Sequence, residues 1–304
     1  MLSDVEKTLI SKEETFCSNT YHPLPVVLKK GKGVFVWDVN NKKYFDYLSA
    51  YSAVNQGHCN KQILNTFIKQ AKKLTLTSRA FYNNELGSSL EYITSVFGYE
   101  KMLPMNSGAE AVETAIKICR KWGYEVKKVQ HNKAKIIVCD GNFHGRTTTV
   151  VSFSSHHGSR ENFGPLTGGF ETINYNDSVS LEKKLKNDKN IVGFLVEPIQ
   201  GEGGVVVPDD GYLTICKKLC EKYNILFIAD EIQTGVCRTG ELLACHHENI
   251  KADITILGKA LAGGFYPVSG VLTSKKIMNV MKVCLLYTSP SPRDVEESRM
   301  PSSA

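Results

Sequence analysis

The amino-acid sequence predicts an α/β fold: a mostly parallel sheet with helices on both faces and a small N-terminal segment beside it. Three observations lead there. Apolar runs without strict alternation recur as "AKIIVC" (134–139), "IVGFLVEP" (191–198), "NILFIADE" (224–231) and "ADITIL" (252–257). Segments of helical period separate such runs, "GYLTICKKLCEKY" (211–223) lying between two of them. From about residue 84 onward the two patterns alternate.

Each element follows in order. "GVFVWDVNNKKYFDYLS" reads as a small antiparallel piece, with "VNNKK" as the turn between its strands. "NNELGSSLEYITSVFG" and "GAEAVETAIKICRKWGY" are amphipathic helices, and "AKIIVC" and "TVVSF" (149–153) are strands. The expected organisation is an N-terminal segment over 1–48 and a large domain over 49–283. The last stretch, 284–304, is rich in Ser and Pro and has no period. It reads as a disordered tail or as non-native sequence joined to a truncated frame, the second being preferred.

Composition sets further bounds. The 304 residues are 42 % hydrophobic and 22 % charged, as in ordinary globular proteins. The formal charge of +6 comes from scattered Lys and Arg, which argues against a nucleic-acid partner. No apolar run has membrane-spanning length. Asp4, Glu6, Glu13 and Glu14 speak against a transit peptide, so cytoplasm is the expected compartment. The nine cysteines include no C-x-x-C pair, and "CHH" (245–247) has no second half-site, so reduced thiols are expected rather than a metal site.

The chemistry gathers where apolar runs end. In "ITILGKALAGGFYP" (254–267), Lys259 stands between a β-branched run and a loop of Ala, Gly and Pro. It is either a charged strand cap or a ligand group at the sheet edge, where open α/β sheets bind. In "LFIADEIQTG" (226–235), Asp230 ends another such run, with Gln233 just after it. Parallel neighbours would bring Asp230 and Lys259 to one crevice, as a structural ion pair or as two sides of a clamp. A clamp would suit a cofactor that forms a Schiff base with the amine while the carboxylate holds a protonated ring nitrogen.

Such a cofactor needs a phosphate site. "MNSGAEAVETAIK" (105–117) offers Ser107 in an S-x-x-E capping box, with Gly108 and Ala109 opening the helix. A plainly capped helix is the other reading. "GNFHGRTTT" (141–149) supplies Phe143 for a planar ring and Arg146 for a carboxylate, or else a turn with a solvated arginine. His144 reads as a satisfied loop histidine rather than a ligand. "EPIQGEGG" (197–204) puts Glu197 at a strand end and Glu202 in a glycine-rich loop.

Together "MNSGAEAVETAIKICRKWGY", "GNFHGRT", "VEPIQGEGG", "LFIADEIQTGVCRTG" and "ILGKALAGGFYPVSGV" resemble the class-III aminotransferases of fold type I. "YHPLPVVLKKGKGVFVWDVNNKKYFDYLSAYSAVNQGHCN" and "LTLTSRAFYNN" narrow the resemblance to the ornithine-specific branch, over about Thr20 to Val283. The resemblance implies pyridoxal 5′-phosphate as cofactor, with Lys259 as its Schiff-base lysine and Asp230 at the pyridine nitrogen. It also implies Gln233 at the ring oxygen, Phe143 stacked on the ring and Ser107, Gly108 and Ala109 at the phosphate. For the substrates L-ornithine and 2-oxoglutarate it implies Arg146 at the α-carboxylate and Tyr21 at the α-amine. Tyr51 then closes that end, and Glu202 pairs with Arg146 and switches its availability between the two substrates.

In that family the chain continues past "SGVLT" into a segment serving the neighbouring subunit of a homodimer, and then into a small C-terminal domain. The sequence lacks both, so a catalytically silent fragment is one alternative. Another is a class-III enzyme for N-acetylornithine or 4-aminobutyrate. Tyr21 with Tyr51 argues against that one, because those substrates carry no free α-amine.

Overall fold

The computed structural model describes residues 2–18 and 20–282, so the stretch 284–304 lies outside the described residues. Helix α1 (Asp4–Phe16) opens on a capping box in which Ser3 and Glu6 satisfy each other's backbone amides. Three short strands, β1 (Leu28–Lys32), β2 (Phe35–Asp38) and β3 (Lys43–Phe45), follow as an antiparallel sheet. The turn between the last two forms because the Asp38 carboxylate accepts the amides of Asn40 and Lys42, at 2.9 and 2.8 Å. Asn41 takes the left-handed conformation there, which asparagine tolerates.

A four-residue turn, α2 (Ser49–Ser52), is wound the unusual way, with φ of 50°, 47°, 54° and 78° in succession. None of the four is glycine, so the turn carries strain of order 1–2 kcal/mol per residue. Helices α3 (Lys61–Ala71) and α4 (Leu86–Phe97) lead into the main sheet.

That sheet has seven strands: β4 (Lys101–Met105), β5 (Lys135–Cys139), β6 (Phe170–Ile173), β7 (Ile191–Val196), β8 (Leu226–Asp230), β9 (Ile254–Leu257) and β10 (Ser269–Thr273). Their spatial order is β4-β10-β9-β8-β7-β5-β6, and only β10 runs against its neighbours. Helix α5 (Gly108–Glu125) packs on one face, joined later by α9 (Lys275–Met278). Helices α7 (Ser178–Asn187) and α8 (Tyr212–Lys222) cover the other.

Both faces are dry, which explains the unbroken apolar runs. In β5, Ile136 and Val138 point toward α5, while Ile137 and Cys139 point toward α7 and α8. In β8, Ile228 and Phe227 divide the same way, and burying such a side chain stabilises by about 1.5–3 kcal/mol. Helix α5 approaches the sheet so closely at Gly123 that any side chain there would collide with Val192.

The expected strand at 149–153 is instead part of a short helix, α6 (Thr148–Val151). The free edge of β5 is taken by β6, and Thr147 caps the new turn by accepting the Val150 amide. The β-branched run suits burial in either form, and Val150, Val151 and Phe153 are buried as a turn. Among the described residues no helix is long and apolar enough to cross a membrane.

Candidate active site

Strands β8 and β9 are parallel neighbours, so Asp230 and Lys259 emerge at the same edge of the sheet. Lys259 follows Gly258 and starts a 3-10 turn over Lys259–Ala262. Its φ of 41° is left-handed, a conformation costing a lysine of order 1–3 kcal/mol. The side chain is half-buried, and Nζ lies 6.0 Å from the centre of the Tyr51 ring. Burial lowers the amine's pKa, opposed by the negative charges of Glu202, Asp230 and Glu197.

Asp230 does not pair with Lys259. Its Oδ2 meets His144 Nδ1 at 2.6 Å, and its Oδ1 accepts the Ile232 amide at 3.1 Å. Both side chains are buried. Burial opposes charge on His144, but the bond to Asp230 and the charges of Asp230 and Glu197 outweigh it, so the imidazole pKa is raised. Glu197, one residue beyond β7, is buried and accepts the Phe143 amide at 3.0 Å. Burial, helped by the nearby Asp230 charge, raises its pKa to about 7.

These groups enclose a cavity of about 210 Å³. Lys259, Asp230 and His144 line it with Glu197, Phe143 and Gln233. The start of α5 adds Gly108 and Ala109. Ser107 caps that helix by accepting the Glu110 amide, and Glu110 in return takes the amides of Ser107 and Asn106. The amides of Gly108 and Ala109 have no protein partner among the described residues, and the helix dipole adds positive potential at that point. Gln233 is pressed onto the backbone of Gly201, where any side chain would displace its amide.

Arg146, Glu202, Tyr21 and Tyr51 do not line this cavity, though Arg146 approaches Phe143 and Tyr51 approaches Lys259, which do. Arg146 places its guanidinium 5.2 Å over the Tyr21 ring and 6.0 Å from the centre of the Phe143 ring. The expected pairing of Arg146 with Glu202 is absent among the described residues. Glu202 is exposed, and its charge acts on Lys259 instead. Tyr21 and Tyr51 are both largely exposed.

In the sequence His144 reads as a satisfied loop histidine. One of its nitrogens is indeed bonded, yet Nε2 is buried without a partner. The sequence puts Glu197 at a strand end without giving it a role and gives no sign of Ile232, and both line the cavity. The available signal was positional, since "FH" and "EP" both follow sheet strands at the edge shared with Asp230.

A family model described as aminotransferase class-III matches residues 16–286. The chain belongs to the class-III aminotransferases. These are pyridoxal-phosphate-dependent enzymes. Among class-III relatives, the ornithine aminotransferase of Plasmodium chabaudi chabaudi is 56 % identical over 273 residues, covering 90 % of this chain and 66 % of the relative. The mitochondrial ornithine aminotransferase of Rattus norvegicus is 56 % identical over 274 residues, with 90 % and 62 % covered. The crystal structure of the ornithine aminotransferase from Toxoplasma gondii ME49 superposes with a TM-score of 0.90 at 46 % identity, covering 93 % of this chain and 66 % of that one. The chain thus spans about two thirds of the length of these class-III relatives.

The residues present fit pyridoxal phosphate. The cavity joins a free amine, a buried carboxylate with lone pairs to spare and a helix start with two open amides.

Proposed function

We propose that the protein is a pyridoxal-phosphate-dependent ornithine δ-aminotransferase, passing the δ-amino group of L-ornithine to 2-oxoglutarate. The products are glutamate-5-semialdehyde and glutamate. The observation that carries this reading is the convergence of Lys259, Asp230, Gln233, Phe143 and the start of α5 on one cavity.

When bound, the cofactor supplies an aldehyde for an amine to condense with and a ring that withdraws electrons from the reacting carbon. Lys259 is the residue placed to hold that aldehyde, and a lowered pKa leaves more of its Nζ as free amine. Freed, Nζ acts as a base toward the δ-carbon of ornithine and later returns a proton to the reacting atoms. Asp230 keeps a protonated ring nitrogen in place, and Gln233 donates to the ring oxygen. Phe143 covers the ring, and Ser107, Gly108 and Ala109 hold the phosphate at the positive end of α5.

Arg146 pairs with the α-carboxylate of ornithine, and Tyr21, which the guanidinium overlies, accepts the α-ammonium. Tyr51 walls that end beside Lys259. Glu202 tunes the site for the second substrate through its charge. A substrate without a free α-amine leaves the Tyr21 hydroxyl without that partner, which is where discrimination arises. A second copy of the chain is proposed as a partner, supported by the exposed Leu76, Phe81 and Tyr82.

The test is an assay with pyridoxal phosphate, 2-oxoglutarate and each of L-ornithine, N-acetylornithine and 4-aminobutyrate as amine donor. The expected result is semialdehyde formation from ornithine at an efficiency at least about tenfold above the other two. A preference for either competitor would replace this reading with that of another class-III enzyme.

A further inference from the structure

The contact between His144 and Asp230 spans more of the fold than their proximity suggests. His144 sits on the loop after β5, and Asp230 ends β8. Strand β7 lies between those two strands in the sheet. The imidazole therefore reaches over the end of β7, at the point where Glu197 stands. Glu197 holds the same loop by accepting the amide of Phe143, the residue next to His144. The loop is thus fastened at β7 and delivers its ring to β8.

Asp230 is fixed from two sides, by His144 Nδ1 on Oδ2 and by the Ile232 amide on Oδ1. Two bonds set the plane of the carboxylate, and its remaining lone pairs are available to the cavity that it lines. His144 also does something that packing alone disfavours. Its Nε2 is buried without a partner, a cost that an apolar side chain of similar size would avoid.

We propose that His144 is the positioning residue for Asp230, holding the carboxylate in the plane and at the depth from which it meets the cofactor's ring nitrogen. The proposal rests on the functional reading above. His144 touches neither the substrate nor the reacting atoms and acts through Asp230. The Nδ1 atom is what matters, so a side chain that keeps a donor near that point keeps the function, and one that only fills the volume does not.

The experiment compares His144→Asn with His144→Leu. Asparagine keeps an N–H donor at about the depth of Nδ1 but is smaller than histidine. Leucine fills more of the space and has no donor. A packing role predicts that leucine is the milder change, and a positioning role predicts the reverse. The readout is the dissociation constant for pyridoxal phosphate, titrated by absorbance without substrate, together with borohydride trapping to map the labelled lysine. The expected result is that His144→Asn stays within about threefold of the wild type, while His144→Leu binds at least about tenfold more weakly. If His144→Leu does not fold, His144→Met takes its place. Leucine or methionine binding as tightly as asparagine, with the wild type labelled at Lys259, overturns the role of His144 alone. A wild-type protein that takes no label at Lys259 overturns the functional reading, and this inference with it.

Discussion

The two ends of the main sheet each carry an opening, and the larger one is the less interesting. At the N-terminal ends of β7 and β8, a cleft of about 610 Å³ is lined by Lys127, Lys128, Asp188, Lys189 and Tyr223, among others. At the C-terminal ends lies the cavity of about 210 Å³ with Lys259 and Asp230. The large cleft has most of its chemistry already satisfied. Lys127 donates to the carbonyls of Ile191 and Tyr223, and Asp188 pairs with Lys135. Lys222, also on its wall, pairs with Glu182. The small cavity retains open amides at Gly108 and Ala109, a buried carboxyl with a raised pKa at Glu197 and a strained backbone at Lys259. Unspent bonding capacity and strain, rather than volume, mark the place where a ligand belongs.

The comparison breaks most readily at Asp230. Replacing it with alanine leaves His144 and a ring nitrogen without their anion, and affinity for pyridoxal phosphate should fall at least about a hundredfold. Lys189→Ala, in the large cleft, should leave that affinity within about twofold. Equal losses from both variants would mean that the ligand does not sit at the Asp230 end of the sheet.

Glu197 offers a test through pH. Its folded pKa of about 7 lies above the ordinary glutamate value of 4.5. Below 4.5 the carboxyl is protonated in both folded and unfolded chains, so it costs nothing. As pH rises through 4.5 to 7 the unfolded chain ionises while the folded one resists, and stability is lost across that window. Above 7 the loss is constant. Glu197→Gln removes it and still accepts the Phe143 amide, so the variant should gain stability relative to wild type on moving from pH 4.5 to 8. The ceiling is about 3 kcal/mol, set within the field of His144, Asp230 and Lys259. Chemical denaturation at the two pH values without added cofactor measures it, and a pH-independent difference would refute the buried-carboxyl account.

The smallest effect is expected at α2. Ala50, at a φ of 47°, is a residue for which glycine is the better fit. Ala50→Gly should stabilise by about 0.5–1 kcal/mol, whereas the same change in an ordinary helix destabilises by a similar amount. A lowered melting temperature would mean that the turn is not strained.

The parts of the fold that were legible in the sequence were those dictated by burial. Each run before Glu197, Asp230 and Lys259 is continuous because both faces of its strand are covered, so the strand ends at the first charged group. The capping box at Ser107 was legible because its two partners lie three residues apart. What was hidden depended on partners distant in sequence. Thr148–Val151 has strand-like composition and became a turn because β6, beginning at Phe170, claimed the edge of β5. Nothing local in "FHGR" announces that His144 will meet Asp230, 86 positions away. Nor does the loop "GEGG" reveal that Glu202 faces Lys259 electrostatically without pairing with Arg146.

The central claim is that Lys259, alone among the lysines, stands where a pyridoxal-phosphate aldehyde is held. The direct measurement is to load the protein with pyridoxal phosphate, reduce it with borohydride and map the modified peptide by mass spectrometry. The result predicted is a single label on Lys259, lost in Lys259→Ala and unaffected by Lys189→Ala. A label on Lys127, Lys128 or any other lysine, with Lys259 unmodified, would contradict it.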